Sequence, residues 1–266
     1  MKQPMRVVDL NADLGESYGS FTVGRDAELI PLLTSANLAC GFHGGDPCVM
    51  DHTVGACSAA GIAVGAHPSF PDLVGFGRRV LEASGREVET DVLYQVAALE
   101  GFCRRHGAAL QHVKPHGALY NHANRAPEVA KGIAAAIASY DPDLLLVCQF
   151  GTELARAGQE AGLQIAYEGF LDRAYNHDGT LVSRSVHGSV YHDGGKATEQ
   201  ALRMVTEGTV VAIDGTLVDV EVDTLCVHGD NPQAVEFLAV LRNQLAAAGV
   251  ALTPMRDVVD RRAGRA

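Results

Sequence analysis

Residues 144–168 read LLLVCQFGTELARAGQEAGLQIAYE. The apolar run over 144–149 fits a buried strand, 152–161 fits a helix, and 164–168 fits a second strand. Gly162 stands where a helix C-terminus needs a positive φ. Strand, helix and strand at this spacing make the unit of a parallel sheet with helices outside it.

The same alternation extends in both directions. Strands are expected over 6–11, 36–40, 62–66 and 110–114 before this stretch, and over 225–228 after it. Helices are expected over 25–35, 47–60, 87–106, 126–139, 196–207 and 233–248, several of them ending near Gly61, Gly107, Gly208 or Gly249. Seven such units predict an α/β fold, a single seven-stranded (β/α) barrel of the TIM-like kind spanning residues 1–266, with a doubly wound sheet as the alternative. Asp214-Gly215 is a turn dipeptide, so 209–223 reads as an inserted hairpin. The tail after residue 256 reads as a frayed basic end.

Composition narrows the partners. The 266 residues carry 32 acidic against 21 basic side chains, a net charge of −11, which argues against nucleic acid and anionic membranes. Six cysteines without a CxxC pair exclude a zinc ribbon and fit buried thiols in a reducing compartment. Residues 1–6 carry no apolar leader core, and no run approaches a membrane span. The expectation is a cytoplasmic protein acting on a small molecule.

In a barrel the chemistry sits where strands end. After the expected strands stand Asn11, Asp13 and Glu16; His43 and Asp46; His67, Arg78 and Arg79; Lys114 and His116; Asp172, Arg173 and Arg184; and His228 and Asp230. Four strand ends thus carry a histidine, the common metal ligand and general base. The carboxylates Asp13, Glu16, Asp46 and Asp230 are candidates for completing a metal site, binding a catalytic water or holding a histidine tautomer. Asp46 before Pro47 also reads as a helix N-cap. Gly194-Gly195-Lys196 opens a helix like a phosphate loop but lacks its first glycine, and Ala197 replaces the hydroxyl residue; Lys196 is a weak candidate for a nucleotide contact. HExxH, GxSxG and GxGxxG are absent from the sequence.

Several long motifs resemble the LamB/YcsF family: Asp9-Leu10-Asn11 with Asp13 and Gly15-Glu16, residues 39–46 (ACGFHGGD), Gly65-Ala66-His67-Pro68-Ser69, residues 113–120 (VKPHGALY), and Asp172-Arg173. The resemblance runs from about Val8 to Asp230. It implies a seven-stranded barrel similar to the glycoside hydrolase/deacetylase superfamily. It also implies part of an ATP-dependent 5-oxoprolinase, opening 5-oxo-L-proline to L-glutamate with ADP and phosphate, alongside partner subunits B and C (PxpB and PxpC).

That chemistry assigns candidate roles. Asp13 and Glu16 are bases or Mg²⁺ ligands, and His43, His67 and His116 are proton carriers. Asn11, Lys114, Arg78, Arg79, Asp172, Arg173 and Arg184 are the substrate- and phosphate-binding set, since Arg forks suit carboxylate and phosphate. ATP with Mg²⁺ is the expected cofactor. Two alternatives stand beside this reading. One is a metal-dependent deacetylase or amidohydrolase, in which Asp13, His43 and His67 hold a transition metal. The other is a non-catalytic protein that binds substrate for its partners.

Overall fold

The computed structural model describes residues 6–191, 193–227 and 234–265. In chain order it holds β1 (Arg6–Leu14), α1 (Asp26–Leu29), a 3₁₀ turn (Ile30–Leu32), β2 (Ser35–Ala39), α2 (Pro47–Ala60), β3 (Ala63–His67) and α3 (Gly85–Arg105). Then follow β4 (Leu110–Val113), α4 (Gly117–Ala123), α5 (Pro127–Tyr140), β5 (Leu145–Cys148), α6 (Glu153–Glu160) and β6 (Gln164–Phe170). The chain continues through α7 (Gly194–Glu207), β7 (Thr209–Val211), β8 (Leu217–Asp219), β9 (Thr224–Val227), α8 (Ala234–Ala247), β10 (Val250–Leu252) and α9 (Met255–Arg262).

Strands β1 to β6 and β9 pair in parallel, and β9 pairs back onto β1, closing a seven-stranded barrel. β1 serves two neighbours on one edge, Arg6–Val8 pairing with β10 and Asp9–Ala12 with β9, and β2 on the other, through Asn11–Leu14. Helix ends are set by local chemistry. The Asp46 carboxylate accepts from the Cys48 and Val49 amides at 2.8 and 3.1 Å, Pro47 opens α2, and Gly61 closes it with φ 68°. Ser84 and Glu87 form a capping box for α3. No helix among the described residues is long and apolar enough to cross a membrane.

Two expectations fail. The helix expected over 25–35 is only α1 and a 3₁₀ turn, because Pro31 stands in it and Ser35 already pairs in the barrel. The tail is not frayed. Leu146 and Ile165 face α6 beside Gly158, so their neighbours Leu145, Val147 and Ala166 face inward, where Met255 and Val259 of α9 join them. α9 therefore plugs the N-terminal end of the barrel. Arg262 fastens it through the Asp223 carboxylate and, at 2.6 Å, the Ile165 carbonyl. Around the expected turn at Asp214-Gly215, β7 and β8 form an antiparallel hairpin.

The barrel interior is polar where β1 alternates Asp9, Asn11 and Asp13 with outward Leu10, Ala12 and Leu14. Asp9 accepts from the hydroxyls of Thr34 and Ser35, both at 2.6 Å, and from Thr224. Burial raises the Asp9 carboxyl to about 6, against the pull of these hydroxyls. The unfolded chain ionises Asp9 near 3.8, so between about pH 4 and 6 the folded state binds the extra proton and stability falls as pH rises. Asp223, also raised to about 6 by burial, adds to the same slope. The neutral His43, His112 and His116 act in the opposite sense, so the contribution of Asp9 is read as a difference: the urea midpoint of the parent relative to Asp9→Asn should decline across this window toward pH 6.

Candidate active site

A column of side chains rises through the barrel from Asp9. Asn11 Nδ2 donates to Thr224 Oγ1 at 2.6 Å, and Asn37 Nδ2 donates to Asn11 Oδ1 at 2.7 Å and to Asp13 Oδ1 at 2.9 Å. His112 Nε2 donates to Asn37 Oδ1 at 2.8 Å. Burial, with the Lys114 charge behind it, lowers His112 to about 3, so the ring is neutral. Room for it comes from β3: a Cβ on Gly65 would lie 2.1 Å from His112 Nε2. Gly65→Ala should cost about 1–3 kcal/mol in urea unfolding. Gly101→Ala, in α3 with nothing within 4 Å of its Cβ, should be neutral or stabilising.

Lys114 crowns the column. Its Nζ donates to Asp13 Oδ1 at 2.8 Å and to Cys226 Sγ at 3.0 Å, and lies 2.8 Å from Glu168 Oε1. Burial alone would depress the ammonium, but Asp13 and Glu168 outweigh it and hold its pKa well above the usual value. The Asp13 Oδ2 oxygen lies 3.3 Å from His67 Nε2.

Beside this centre lie Glu16, His43, His67 and His116, all buried, with one ligand-type atom of each within 4.8 Å of the others. His67 Nδ1 meets the Lys114 carbonyl at 2.7 Å, and His116 Nε2 meets the Phe76 carbonyl at 2.9 Å. His43 Nε2 lies 3.2 Å from Glu16 Oε1. Burial, then the neighbouring histidines, pushes His43 and His116 well below the ordinary imidazole value. The loop between β3 and α3 is pinned from outside, where buried Gln95 exchanges two 2.9 Å hydrogen bonds with the Ser69 backbone.

These groups floor a cavity of about 680 Å³ at the C-terminal end of the strands. Asp13, Glu16, His67, Lys114 and His116 line it, with Arg78, Arg173 and Arg184 on its walls. The segment between β6 and α7 folds over as one wall, held by bridges from Arg173 to Val190 and Tyr175 to Leu181. Arg173 is buried there, donating to the Val182 and Ser189 carbonyls at 2.6 and 3.3 Å. Burial, then the Arg184 charge, lowers it to about 10.

Several expected site residues stand elsewhere. Asn11 is a link of the interior column and does not line the cavity. Arg79 turns away and grips both Asp72 oxygens. Asp172 is buried beside Arg173 and off the cavity lining. His43 stands behind His116 and also misses the lining. Asp46 is the helix cap described above, which is already one of its two expected readings. Lys196 lies over the Tyr191 ring at 3.9 Å, and Asp193 already occupies the α7 N-terminus by accepting from the Gly195 amide. His228 and Asp230 lie outside the described residues. Asn37 and Glu168 stand in the strand-end stretches of the sequence but carry no role expected there, and Cys226 reads only as one of the buried thiols. Glu168 alone carried a signal, a charge inside an otherwise apolar strand.

The profile of the LamB/YcsF family matches residues 8–260. The chain belongs to the LamB/YcsF family. A relative in Symbiobacterium thermophilum, named as the A component of 5-oxoprolinase, is 51% identical over 252 residues, covering 95% of this chain and 97% of that protein. One of the same name in Thermus thermophilus is 53% identical over 243 residues, covering 91% and 97%. The crystal structure of a lactam utilization protein, also from Thermus thermophilus, superposes with a TM-score of 0.89 at 51% identity, covering 93% of this chain and 99% of that one. The LamB/YcsF barrel therefore carries its histidine–carboxylate centre within a fold shared along nearly the whole chain.

Proposed function

We propose that this LamB/YcsF chain is the ring-opening component of an ATP-dependent 5-oxoprolinase, converting 5-oxo-L-proline to L-glutamate. The observation that carries the reading is the half-identity, over nearly full length, to proteins named as the A component of 5-oxoprolinase. The cavity agrees with it. A small lactam acid needs a cation for its carboxylate, cations for a phosphoryl group, and a base for water. Arg173 and Arg184, with Arg78, supply the first two, since guanidinium forks match both anions.

A lactam carbon is a poor electrophile. Transfer of the ATP γ-phosphoryl group to the amide oxygen makes it a good one and releases ADP. Water then adds to that carbon, and Asp13, positioned by Lys114 and Asn37, takes its proton. The ring C–N bond breaks, the nitrogen leaves protonated as the amine, and a second water releases phosphate from the acyl group. Two waters and one ATP are consumed per glutamate. Mg²⁺ accompanies the nucleotide, and PxpB and PxpC complete the assembly. All six cysteines are free and all but Cys48 are buried, which suits a cytoplasmic enzyme.

The test is glutamate formation from 5-oxo-L-proline and Mg-ATP by this chain combined with PxpB and PxpC. The proposal expects glutamate only when all three are present. Equal glutamate formation from PxpB and PxpC alone would remove this chain from the chemistry.

A further inference from the structure

The histidine cluster beside Asp13 has a hydrogen-bonding conflict. The Lys114 carbonyl can only accept, so His67 carries its proton on Nδ1 and leaves Nε2 bare. The Phe76 carbonyl likewise fixes the His116 proton on Nε2 and leaves Nδ1 bare. These two lone pairs face each other at 3.0 Å, with Glu16 Oε1 3.5 Å from His116 Nδ1. Three buried acceptors converge, with Asp13 Oδ2 3.3 Å from the same His67 nitrogen, and while both rings are neutral none of them can donate to another.

We propose that His67 Nε2, His116 Nδ1 and the Glu16 carboxylate bind one divalent transition cation of the zinc class, with a fourth position open to the cavity. Two imidazoles and one carboxylate make a known catalytic ligand set, and bonds of about 2.0–2.1 Å place tetrahedral ligand atoms ~3.3 Å apart. The separations of 3.0 and 3.5 Å bracket that edge. The two rings stand at 88°, so both lone pairs can point at one ion. All three residues line the cavity.

His43 has a different part. Its ring lies flat on His116, 3.7 Å apart and 3° from parallel, so its lone pairs cannot aim where those of His116 aim. It is a positioning residue, donating from Nε2 to Glu16 and so orienting the carboxylate. The backbone is shaped for the same purpose. Phe76, with φ 55°, is the one non-glycine residue in the left-handed region among the described residues, and its carbonyl fixes the His116 tautomer. Gly77 follows at φ 62°, and a Cβ there would lie 2.7 Å from His116 Cδ2.

The cation site rests on side-chain geometry, so it survives a failure of the lactam reading, and glutamate formation plays no part in its test. Tag-free protein stripped with a chelator is titrated with Co²⁺ alone, then with Zn²⁺. The expected result is one Co²⁺ per chain, with the strong visible bands of four-coordinate cobalt, displaced by one equivalent of Zn²⁺. Glu16→Gln, close in shape to the parent, should lose the bands. His43→Ala should keep one equivalent, bound roughly 10–100-fold more weakly. Folded parent protein that takes up no cobalt, or a Glu16→Gln variant that binds like the parent, overturns the proposal.

Discussion

Asp13→Asn is expected to lower glutamate formation in the assembled enzyme by at least about 10²–10⁴-fold, the usual contribution of a general base. The side chain changes shape little. Asn keeps an oxygen for Lys114 and Asn37, and Lys114 retains Glu168 2.8 Å away. What goes is the negative oxygen that faces the cavity and His67. The loss should therefore fall on kcat, with circular dichroism and the urea midpoint close to the parent. A variant that unfolds would show Asp13 acting mainly as the Lys114 counter-ion. Unchanged turnover would move the base elsewhere.

Lys114→Met should produce the largest loss of stability. Met matches the length of the stem but leaves Asp13 and Glu168 buried on one side without their shared cation. Removing one partner of a buried pair costs about 3–5 kcal/mol. Urea unfolding should show a loss of that size, with no ring opening left. The loss should shrink when Glu168→Gln is added, because one stranded charge is then neutral. Additive losses in the double variant would mean that the two residues do not communicate.

The sequence disclosed the barrel readily and the site unevenly, for physical reasons. Each barrel strand is a short apolar or alternating run ahead of a glycine or a capped helix, so local signals and fold agree. β10, α4 and α9 escaped because they are short or basic, and α9 earns its place by plugging the barrel with Met255 and Val259 rather than by helix propensity. Asp13, His67, Lys114 and His116 were legible because they stand at or just after strand ends. Cys226 was not, since inward direction is set by barrel closure, and Glu168 showed only as a charge in a mostly apolar strand. Arg78 and Arg79 are adjacent in sequence, yet Arg78 reaches the cavity and Arg79 is taken by Asp72. The set of Asp13 with His43 and His67 as metal ligands came from the deacetylase alternative. Only the carbonyl partners of His67 and His116 show which nitrogens are bare.

The most direct measurement counts glutamate and phosphate together. PxpB and PxpC are supplied with 5-oxo-L-proline and Mg-ATP, with and without this chain. The account predicts one glutamate per phosphate with the parent chain, and no glutamate when the chain is absent or carries Asp13→Asn. Glutamate formed at the parental rate with the Asp13→Asn chain would contradict it.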